Sequence, residues 1–201
     1  MPKSNQRYQH LESAQAYQEK IEKKRKLSGW LEARMLERSL DDVVGEKVLD
    51  CPCGTGRIDP LLRSRFSDIT GVDGAAAMFE VYQHGHPERK GQVADIFDLP
   101  YSEDEFDWTV CHRLFHHFRS DEDRRTLWNS LARVARNGVS LYCWLDVPFS
   151  RRGKPSAPGR QSIPREQFER IVADSALDLK HYYYACWPFS PKVVVTLVKP
   201  Q

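Results

Sequence analysis

The amino-acid sequence lacks the features that mark several common protein classes. Among its 201 residues, no apolar run reaches the roughly 18 residues that a membrane-spanning helix needs. The first ten residues, MPKSNQRYQH, lack the apolar core of a secretory signal. A large charge of one sign is also missing: the formal net charge is +2, which neither requires nor excludes a nucleic-acid partner. The composition therefore predicts no membrane segment.

Paired metal-binding cysteines are missing as well. The five cysteines form no CxxC pair, and no second Cys/His cluster has zinc-finger spacing. We therefore expect reduced thiols in a cytoplasmic protein and no metal site. Within the stretch VLDCPCGTGR, Cys51 is expected to pack as a small buried residue, and Cys53 is expected to lend its backbone to a ligand loop.

What the sequence does contain, from residue 45 onward, is an alternation of short apolar segments with segments of helical periodicity. The apolar segments predict seven strands, at 47–50, 69–72, 93–94, 106–111, 139–145, 177–186 and 193–198. The connection before the last strand, WPFSPK, is too short for a crossover helix, so the last two strands should be antiparallel. The predicted fold class is α/β: a seven-stranded, mostly parallel sheet with an antiparallel terminal strand and helices on both faces.

The first 44 residues have a different composition. Residues 14–40 are rich in Ala, Glu, Lys, Arg and Leu, which predicts one helix, or two with a break at Ser28-Gly29. We interpret 1–44 as an N-terminal helical cap and 45–201 as the core of one globular domain.

Acidic residues end three of the predicted strands. Asp50, Asp73 and Asp95 follow the first, second and third strands, and Gly54 and Gly56 come directly after the first. In an open α/β sheet, ligands bind beyond the carboxyl ends of the strands. Glycines there let the backbone approach a ligand closely. The sequence therefore predicts a ligand site at this edge.

The pattern favours a nucleoside without phosphates. A dinucleotide fingerprint needs a third glycine where Asp59 stands, and no Gly-Lys-Ser/Thr follows for a phosphate loop. Asp73 can accept both hydrogens of a ribose diol, and Asp95 can meet an adenine amino group while Ile96 packs on the ring. Asp50 and the loop amides can hold an amino-acid head group.

These motifs, in this order, resemble the class I S-adenosylmethionine-dependent methyltransferases, in particular the small-molecule type with a methyltransferase-11-like domain. The family's first motif, with Asp-x-Gly-x-Gly-x-Gly at its heart, is matched by DCPCGTG at 50–56. Its later motifs are matched by GVDGAAAMF, ADIFDLPYSEDEFD and WTVCHRLFHHF. The resemblance covers roughly Gly45 to the C-terminus and implies a Rossmann-like sheet. One departure is Pro52, which stands where the family has its first glycine.

The resemblance implies S-adenosyl-L-methionine as the cofactor. Carried over by position, Cys53 and Gly54 bind the cofactor through their backbone. The other cofactor-binding residues are Asp50, Gly56, Asp73, Gly74, Met78, Asp95, Ile96 and Cys111. An arginine of the N-terminal helices, such as Arg34, is expected to pair with the cofactor carboxylate.

The resemblance also implies attack of an acceptor atom on the sulfonium methyl group. His116, in the turn after the fourth strand, is the candidate general base. The loop 146–162 carries Arg151 and Arg152, which are expected to bind an anionic substrate. The predicted function is thus methyl transfer to a nucleophilic atom of a small, anionic molecule.

Three alternatives remain open at this point. Pro52 leaves room for an S-adenosylmethionine-binding protein without catalysis, and the basic stretch at 23–26 leaves room for RNA as the acceptor. A nicotinamide oxidoreductase is disfavoured by Asp59. No membrane partner is expected, and the sequence does not indicate an oligomeric state.

Overall fold

The computed structural model describes residues 11–16, 27–149, 161–173, 175 and 177–200. The strands are β1 (Lys47–Asp50), β2 (Asp68–Asp73), β3 (Lys90–Val93), β4 (Phe106–Cys111), β5 (Ala135–Trp144), β6 (Asp178–Tyr184) and β7 (Lys192–Val198). The helices are α1 (Leu27–Ser39), α2 (Asp59–Leu62), α3 (Ala76–Gly85), α4 (Asp121–Val134) and α5 (Arg165–Ala173). A 3₁₀ turn follows β4 at Phe115–His117, and residues 11–16 are also helical.

The strands form one seven-stranded sheet in the order β3-β2-β1-β4-β5-β7-β6. The first five strands pair in parallel, and β7 lies antiparallel between β5 and β6. The predicted α/β fold class and the antiparallel terminal hairpin are therefore confirmed. Because β7 runs against the others, its first residue, Lys192, lies at the same edge as the carboxyl ends of β1, β4 and β5.

The sheet buries a core on each face, because successive strand residues point to opposite sides. Leu49 and Cys143 belong to the core packed against α4 and α5. Their neighbours Val48 and Tyr142 belong to the core packed against α1 and α2. The predicted helices on both faces are thus present, and the side chains at the strand ends divide between the two faces.

Two elements differ from the predictions. β3 runs from Lys90 to Val93, so Asp95 lies in the loop beyond the strand. The spacing of apolar residues predicts a helix at 58–66, but the helix is reduced to α2, which carries Pro60 in its first turn. Ser28-Gly29 lies at the start of α1, and the residues before α1 lie outside the described ones, so the break considered there stays a prediction.

The predicted N-terminal cap packs on the sheet through α1, which contacts β5, β6 and β7. At its end, the Ser39 hydroxyl donates to the Leu36 carbonyl (2.7 Å) and is hydrogen-bonded to the Ser140 hydroxyl of β5 (3.1 Å), which accepts the Trp108 indole N–H (3.0 Å). Ala14, in the helical segment 11–16, is fully buried against the start of α3. The division at residue 44 remains a prediction. None of the described helices is both long and apolar enough to cross a membrane.

Candidate functional site at the carboxyl ends of the strands

The glycine loop after β1 has a backbone shape that depends on its glycines. Gly54 and Gly56 have φ values of 57° and 82°, in the left-handed region that favours glycine. A Cβ on Gly56 would lie 2.4 Å from His86 Nε2, whereas one on Gly54 would meet only Met78, at 3.6 Å. Gly56 is therefore needed for internal packing, and the space beside Gly54 is open to a ligand. Pro52, the departure from the family pattern, follows a cis peptide bond.

Asp73, at the end of β2, holds this loop in place. Its Oδ2 accepts the Gly54 N–H (2.9 Å) and its Oδ1 accepts the Ala75 N–H (2.8 Å). Burial raises the Asp73 pKa to about 6, although the two amide hydrogen bonds oppose the rise. An ionised carboxylate offers about four acceptor positions. About two therefore remain for further donors, as the ribose prediction requires.

A cavity opens beside Asp73, between the end of β2 and the turn after β4. Asp95 is exposed at its rim, where its Oδ1 accepts the Phe97 N–H (3.0 Å). The aromatic rings of Phe97 and Phe118 pack 5.3 Å apart to form an apolar wall. The lining residues are Cys51, Pro52, Asp73, Gly74, Val93, Ala94, Asp95, Ile96, Phe97, Leu114 and Phe118. Four predicted cofactor residues thus come together here: Asp73, Gly74, Asp95 and Ile96.

Asp50, at the end of β1, is fully buried, and neither carboxyl oxygen has a hydrogen-bond partner among the described residues. Burial, followed by the nearby Asp59 and Asp73, raises its pKa well above the usual value. A buried polar group without a partner is costly. An ammonium group on a bound ligand would supply one, and this orphaned carboxyl therefore fits the amino-acid head group of S-adenosylmethionine.

Other predicted cofactor residues lie behind the cavity. The Cys53 N–H donates to the Val72 carbonyl (2.8 Å), so that donor is used within the fold. Cys111 is fully buried in the core on the α4 side, and burial raises the pKa of its thiol. Met78 is buried beside Gly54. Among the described residues, no group of three or more His, Cys, Asp or Glu side chains could hold a metal ion.

A carboxylate at position 59 would also be expected to repel a phosphate near the glycine loop, but the structure does not support this expectation. Its buried carboxylate accepts two hydrogen bonds from Arg89, at 2.8 and 3.3 Å, and lies 3.4 Å from His86 Nδ1. Its charge is therefore compensated within the fold and does not face a ligand. The missing third glycine still argues against a dinucleotide site, but repulsion of phosphate by Asp59 does not.

Glu32 of α1 is the centre of an ion-pair cluster at the other half of this edge, which we call the Glu32 cluster. Its Oε2 accepts from Arg57 Nη2 (3.1 Å) and Arg113 Nη1 (3.3 Å), and its Oε1 accepts from Lys192 Nζ (2.8 Å). The Tyr142 hydroxyl lies 3.5 Å from Oε1. Burial alone would raise the Glu32 pKa, but the cations outweigh it and lower the pKa to about 2.

Two histidines after β4 border the Glu32 cluster. His112 is 8% exposed, its ring lies 4.8 Å from that of Tyr142, and its Nε2 has no partner among the described residues. Burial lowers the pKa of His112 to about 3. His116, the predicted base, is 2% exposed and stacks on Trp144 with ring centroids 5.0 Å apart. The base role of His116 stays a prediction, and His112 is a residue that the sequence interpretation did not select.

Among the three arginines predicted to bind the cofactor or the substrate, Arg34 alone lies in the described part of the chain. Arg34 is exposed on the outer side of α1, where its guanidinium lies 5.5 Å from the Trp30 ring centroid. It is therefore not part of the Glu32 cluster. Arg151, Arg152 and the basic stretch at 23–26 lie outside the described residues. One signal for the Glu32 cluster was present in the sequence, because Arg57 directly follows the glycine loop.

Comparison of the chain with known proteins shows which family it resembles. Residues 49–143 match the family model of a methyltransferase domain. The matched segment runs from β1 to β5, and this part of the chain is similar to the methyltransferase family. The predicted recognition is thereby confirmed and so, at the level of the family, is S-adenosyl-L-methionine as the cofactor.

Two curated relatives show how far the similarity extends. An uncharacterized methyltransferase of Bacillus licheniformis is 29% identical over 150 residues, which cover 71% of this chain and 67% of that protein. The tRNA (carboxymethyluridine(34)-5-O)-methyltransferase of Saccharomyces cerevisiae is 28% identical over 116 residues, 55% of this chain and 40% of that protein. The chain thus spans two thirds of one methyltransferase and less than half of the other.

A solved structure shares the fold. The magnesium protoporphyrin IX methyltransferase of Synechocystis PCC 6803, crystallised with bound S-adenosylmethionine, superposes with a TM-score of 0.67 at 15% sequence identity. The superposition covers 86% of this chain and 81% of the Synechocystis chain. At this level of identity the match establishes the methyltransferase fold and leaves the acceptor open.

Proposed function

We propose that this protein transfers a methyl group from S-adenosylmethionine to a nucleophilic atom of a small, anionic molecule. The observation that carries the proposal is the division of the strand edge into two halves. Asp73, Asp95 and the orphaned Asp50 lie on the β1–β3 side, where a nucleoside fits. The Glu32 cluster and His112 lie on the β4–β7 side, where an acceptor fits.

In this proposal, each half has its own task. The cofactor supplies an electrophilic methyl group on a cationic sulfur, and transfer leaves S-adenosylhomocysteine and, from an O–H or N–H acceptor, one proton. Asp73 accepts the ribose diol, Asp95 and Ile96 meet the adenine, and Asp50 faces the ammonium group. The protein therefore mainly aligns the two reactants, and alignment alone can contribute roughly 7–11 kcal/mol to lowering a barrier.

His112 is the residue we assign to the acceptor's nucleophilic group. Because its pKa is about 3, its imidazole is neutral at ordinary pH. The buried Nε2, which has no partner among the described residues, can then accept a hydrogen bond from an acceptor hydroxyl and orient the lone pair. A group with so low a pKa is a weak general base, so positioning is its main contribution in this proposal.

RNA is the second candidate acceptor, favoured by one surface. Trp30 is 57% exposed with Arg34 over its ring, and Arg38 lies 5.4 Å from the Tyr183 ring centroid. An exposed aromatic ring beside arginines suits the stacking of unpaired bases. The Saccharomyces relative is named as a tRNA methyltransferase. We rank RNA second because this surface lies outside the Glu32 cluster.

Two measurements test the proposal. In isothermal titration, S-adenosylhomocysteine should bind in the micromolar range and NAD should not; the opposite result would refute the cofactor assignment. Methyl-labelled cofactor is then incubated with a metabolite extract and, separately, with total RNA. Label in small molecules supports the proposal, and label only in RNA selects the second candidate. Binding without transfer to either pool would indicate a protein that binds the cofactor without catalysis.

A further inference from the structure

The Glu32 cluster contains more positive than negative charge. Arg57 and Lys192 each form an ion pair with Glu32 and, among the described residues, with no other carboxylate. Arg113 is a third cation on the same carboxylate. A structural ion pair needs one counter-charge, and gathering like charges around a single buried carboxylate is costly unless another anion joins them. The composition of the cluster thus points to a second anion.

The cations are also the accessible part of the cluster. The side chain of Glu32 is 4% exposed, whereas those of Arg57, Arg113 and Lys192 are 24%, 24% and 25% exposed. Glu32 therefore lies beneath the cations, and each cation keeps a surface that an incoming group can contact. Guanidinium groups bind carboxylates and phosphates with two parallel hydrogen bonds, which gives such a contact both strength and direction.

Two further observations point to a ligand at this place. Arg113 has a φ of 68°, an uncommon value for a residue other than glycine, and this backbone conformation accompanies its contact with Glu32. The Nε2 of His112, a buried group without a partner among the described residues, lies in the same surroundings, since the His112 ring packs on Tyr142 beside Glu32. A cation set and an unsatisfied acceptor are thus adjacent.

We propose that Arg57, Arg113 and Lys192 bind an oxyanion, a carboxylate or a phosphate, carried by the methyl acceptor, with Glu32 as the internal counter-ion that holds the three cations together. This inference rests on the proposed function and names the acceptor's chemical class. The Tyr142 and Trp144 rings border the cluster, and the indole N–H of Trp144 donates to the Tyr142 hydroxyl (3.1 Å).

Matched probes test the inference without knowledge of the acceptor. Benzoate and phenyl phosphate carry the two oxyanions on one ring, and benzamide is the neutral counterpart. Each is titrated into protein saturated with S-adenosylhomocysteine. We expect either anion to bind and benzamide not to bind; comparison of the two anions tells carboxylate from phosphate. Equal binding of benzamide, or no binding of either anion, would overturn the inference.

Charge-removing variants then locate the site. Arg57→Gln and Lys192→Met should each weaken anion binding about tenfold, the usual effect of losing a hydrogen bond to a charged group. Arg34→Gln, a control that removes a cation from the outer side of α1, should change it less than twofold. Anion affinity equal to wild type in both cluster variants would contradict the assignment.

Glu32→Gln separates a binding role from a purely structural one. Removal of the competing negative charge should tighten binding of the anionic probe severalfold, whereas an ion-pair cluster with only a structural role would show a lower unfolding temperature and no gain in affinity. S-adenosylhomocysteine binding is measured in the same samples. If that compound fails to bind, the proposed function fails; if it binds and both anions do not, only the acceptor inference fails.

Discussion

Asp73 and Gly54 are joined by a hydrogen bond of 2.9 Å from the glycine N–H to the carboxylate. The acid at the end of β2 thereby fixes the loop at the end of β1, although the two residues are 19 positions apart. The same carboxylate also accepts the N–H of Ala75, the residue before α3. One side chain therefore organises three backbone segments around the cavity and keeps lone pairs for a ligand.

Asp73→Asn should weaken S-adenosylhomocysteine binding about tenfold or more. Asparagine keeps the size of the side chain but loses the charge and half of its acceptor capacity, and hydrogen bonds to charged groups are the stronger ones. Isothermal titration measures the effect. Asp68→Asn, at the exposed start of the same strand, is the matched control, since Asp68 pairs only with Lys90 among the described cations. If both variants bound S-adenosylhomocysteine within twofold of the wild-type affinity, the ribose assignment would be contradicted.

The pH dependence of cofactor binding should follow the ionisation of Asp73. Its folded pKa of about 6 lies above the usual 3.8, so the carboxylate is lost as pH falls below about 6. S-adenosylhomocysteine affinity should therefore decline between pH 7.5 and 5 in the wild type and change little in Asp73→Asn. The pH dependence of folding stability has the opposite sign. The raised pKa of Asp73 stabilises the folded protein below about pH 3.8, and this contribution is lost as pH rises through about 6. Parallel titrations and unfolding curves distinguish the two effects.

The positions of the residues proposed to bind the cofactor could be predicted from the sequence, because these residues lie at strand ends. Asp50 and Asp73 each end a short apolar strand, and the rule that parallel strands meet at one edge brings them together. Asp95 also lies at this edge, although β3 ends two residues before it. The local sequence pattern and the strand topology were therefore sufficient to place these acids at one edge of the sheet.

The acceptor half could not be predicted in the same way. Glu32, Arg113 and Lys192 come from α1, the turn after β4 and the start of β7, and 160 positions separate Glu32 from Lys192. Charged residues on a helix or at a strand start are usually solvated, so nothing in the local pattern indicates burial. Their association depends on how α1 docks on the sheet, which periodicity does not specify.

Ser140→Ala should lower the free energy of unfolding by about 1–3 kcal/mol. The buried Ser140 hydroxyl accepts the Trp108 indole N–H and is hydrogen-bonded to the Ser39 hydroxyl of α1, and its removal leaves the buried indole N–H without a partner. Urea unfolding followed by tryptophan fluorescence measures the loss. Ser64→Ala is the control, because that hydroxyl makes an exposed bond to its own helical turn. Equal effects of the two substitutions would argue against docking of α1 through Ser140.

Glu32→Ala should cost roughly 3 kcal/mol of unfolding free energy, since it leaves three cations together without their counter-charge. The folded pKa of about 2 lies below the usual 4.5, so this contribution is present above about pH 4.5 and is lost as pH falls toward 2. Asp41→Ala, which removes an exposed pair with Arg65, should cost under about 1 kcal/mol. A difference between wild type and Glu32→Ala that grew in acid would contradict the sign of the shift.

His112 should remain neutral throughout the physiological pH range. Burial lowers its pKa to about 3, and the nearby arginines act in the same direction, against the carboxylate of Glu32. NMR titration of the imidazole nitrogens, with the His112 signals assigned from their absence in His112→Gln, should show no change from pH 8 to 5. A midpoint between 6 and 7 would contradict this and would make His112 a general base instead of a hydrogen-bond acceptor. Such a midpoint would mean that solvation of Nε2, or attraction by the Glu32 carboxylate, offsets the cost of charging a buried ring.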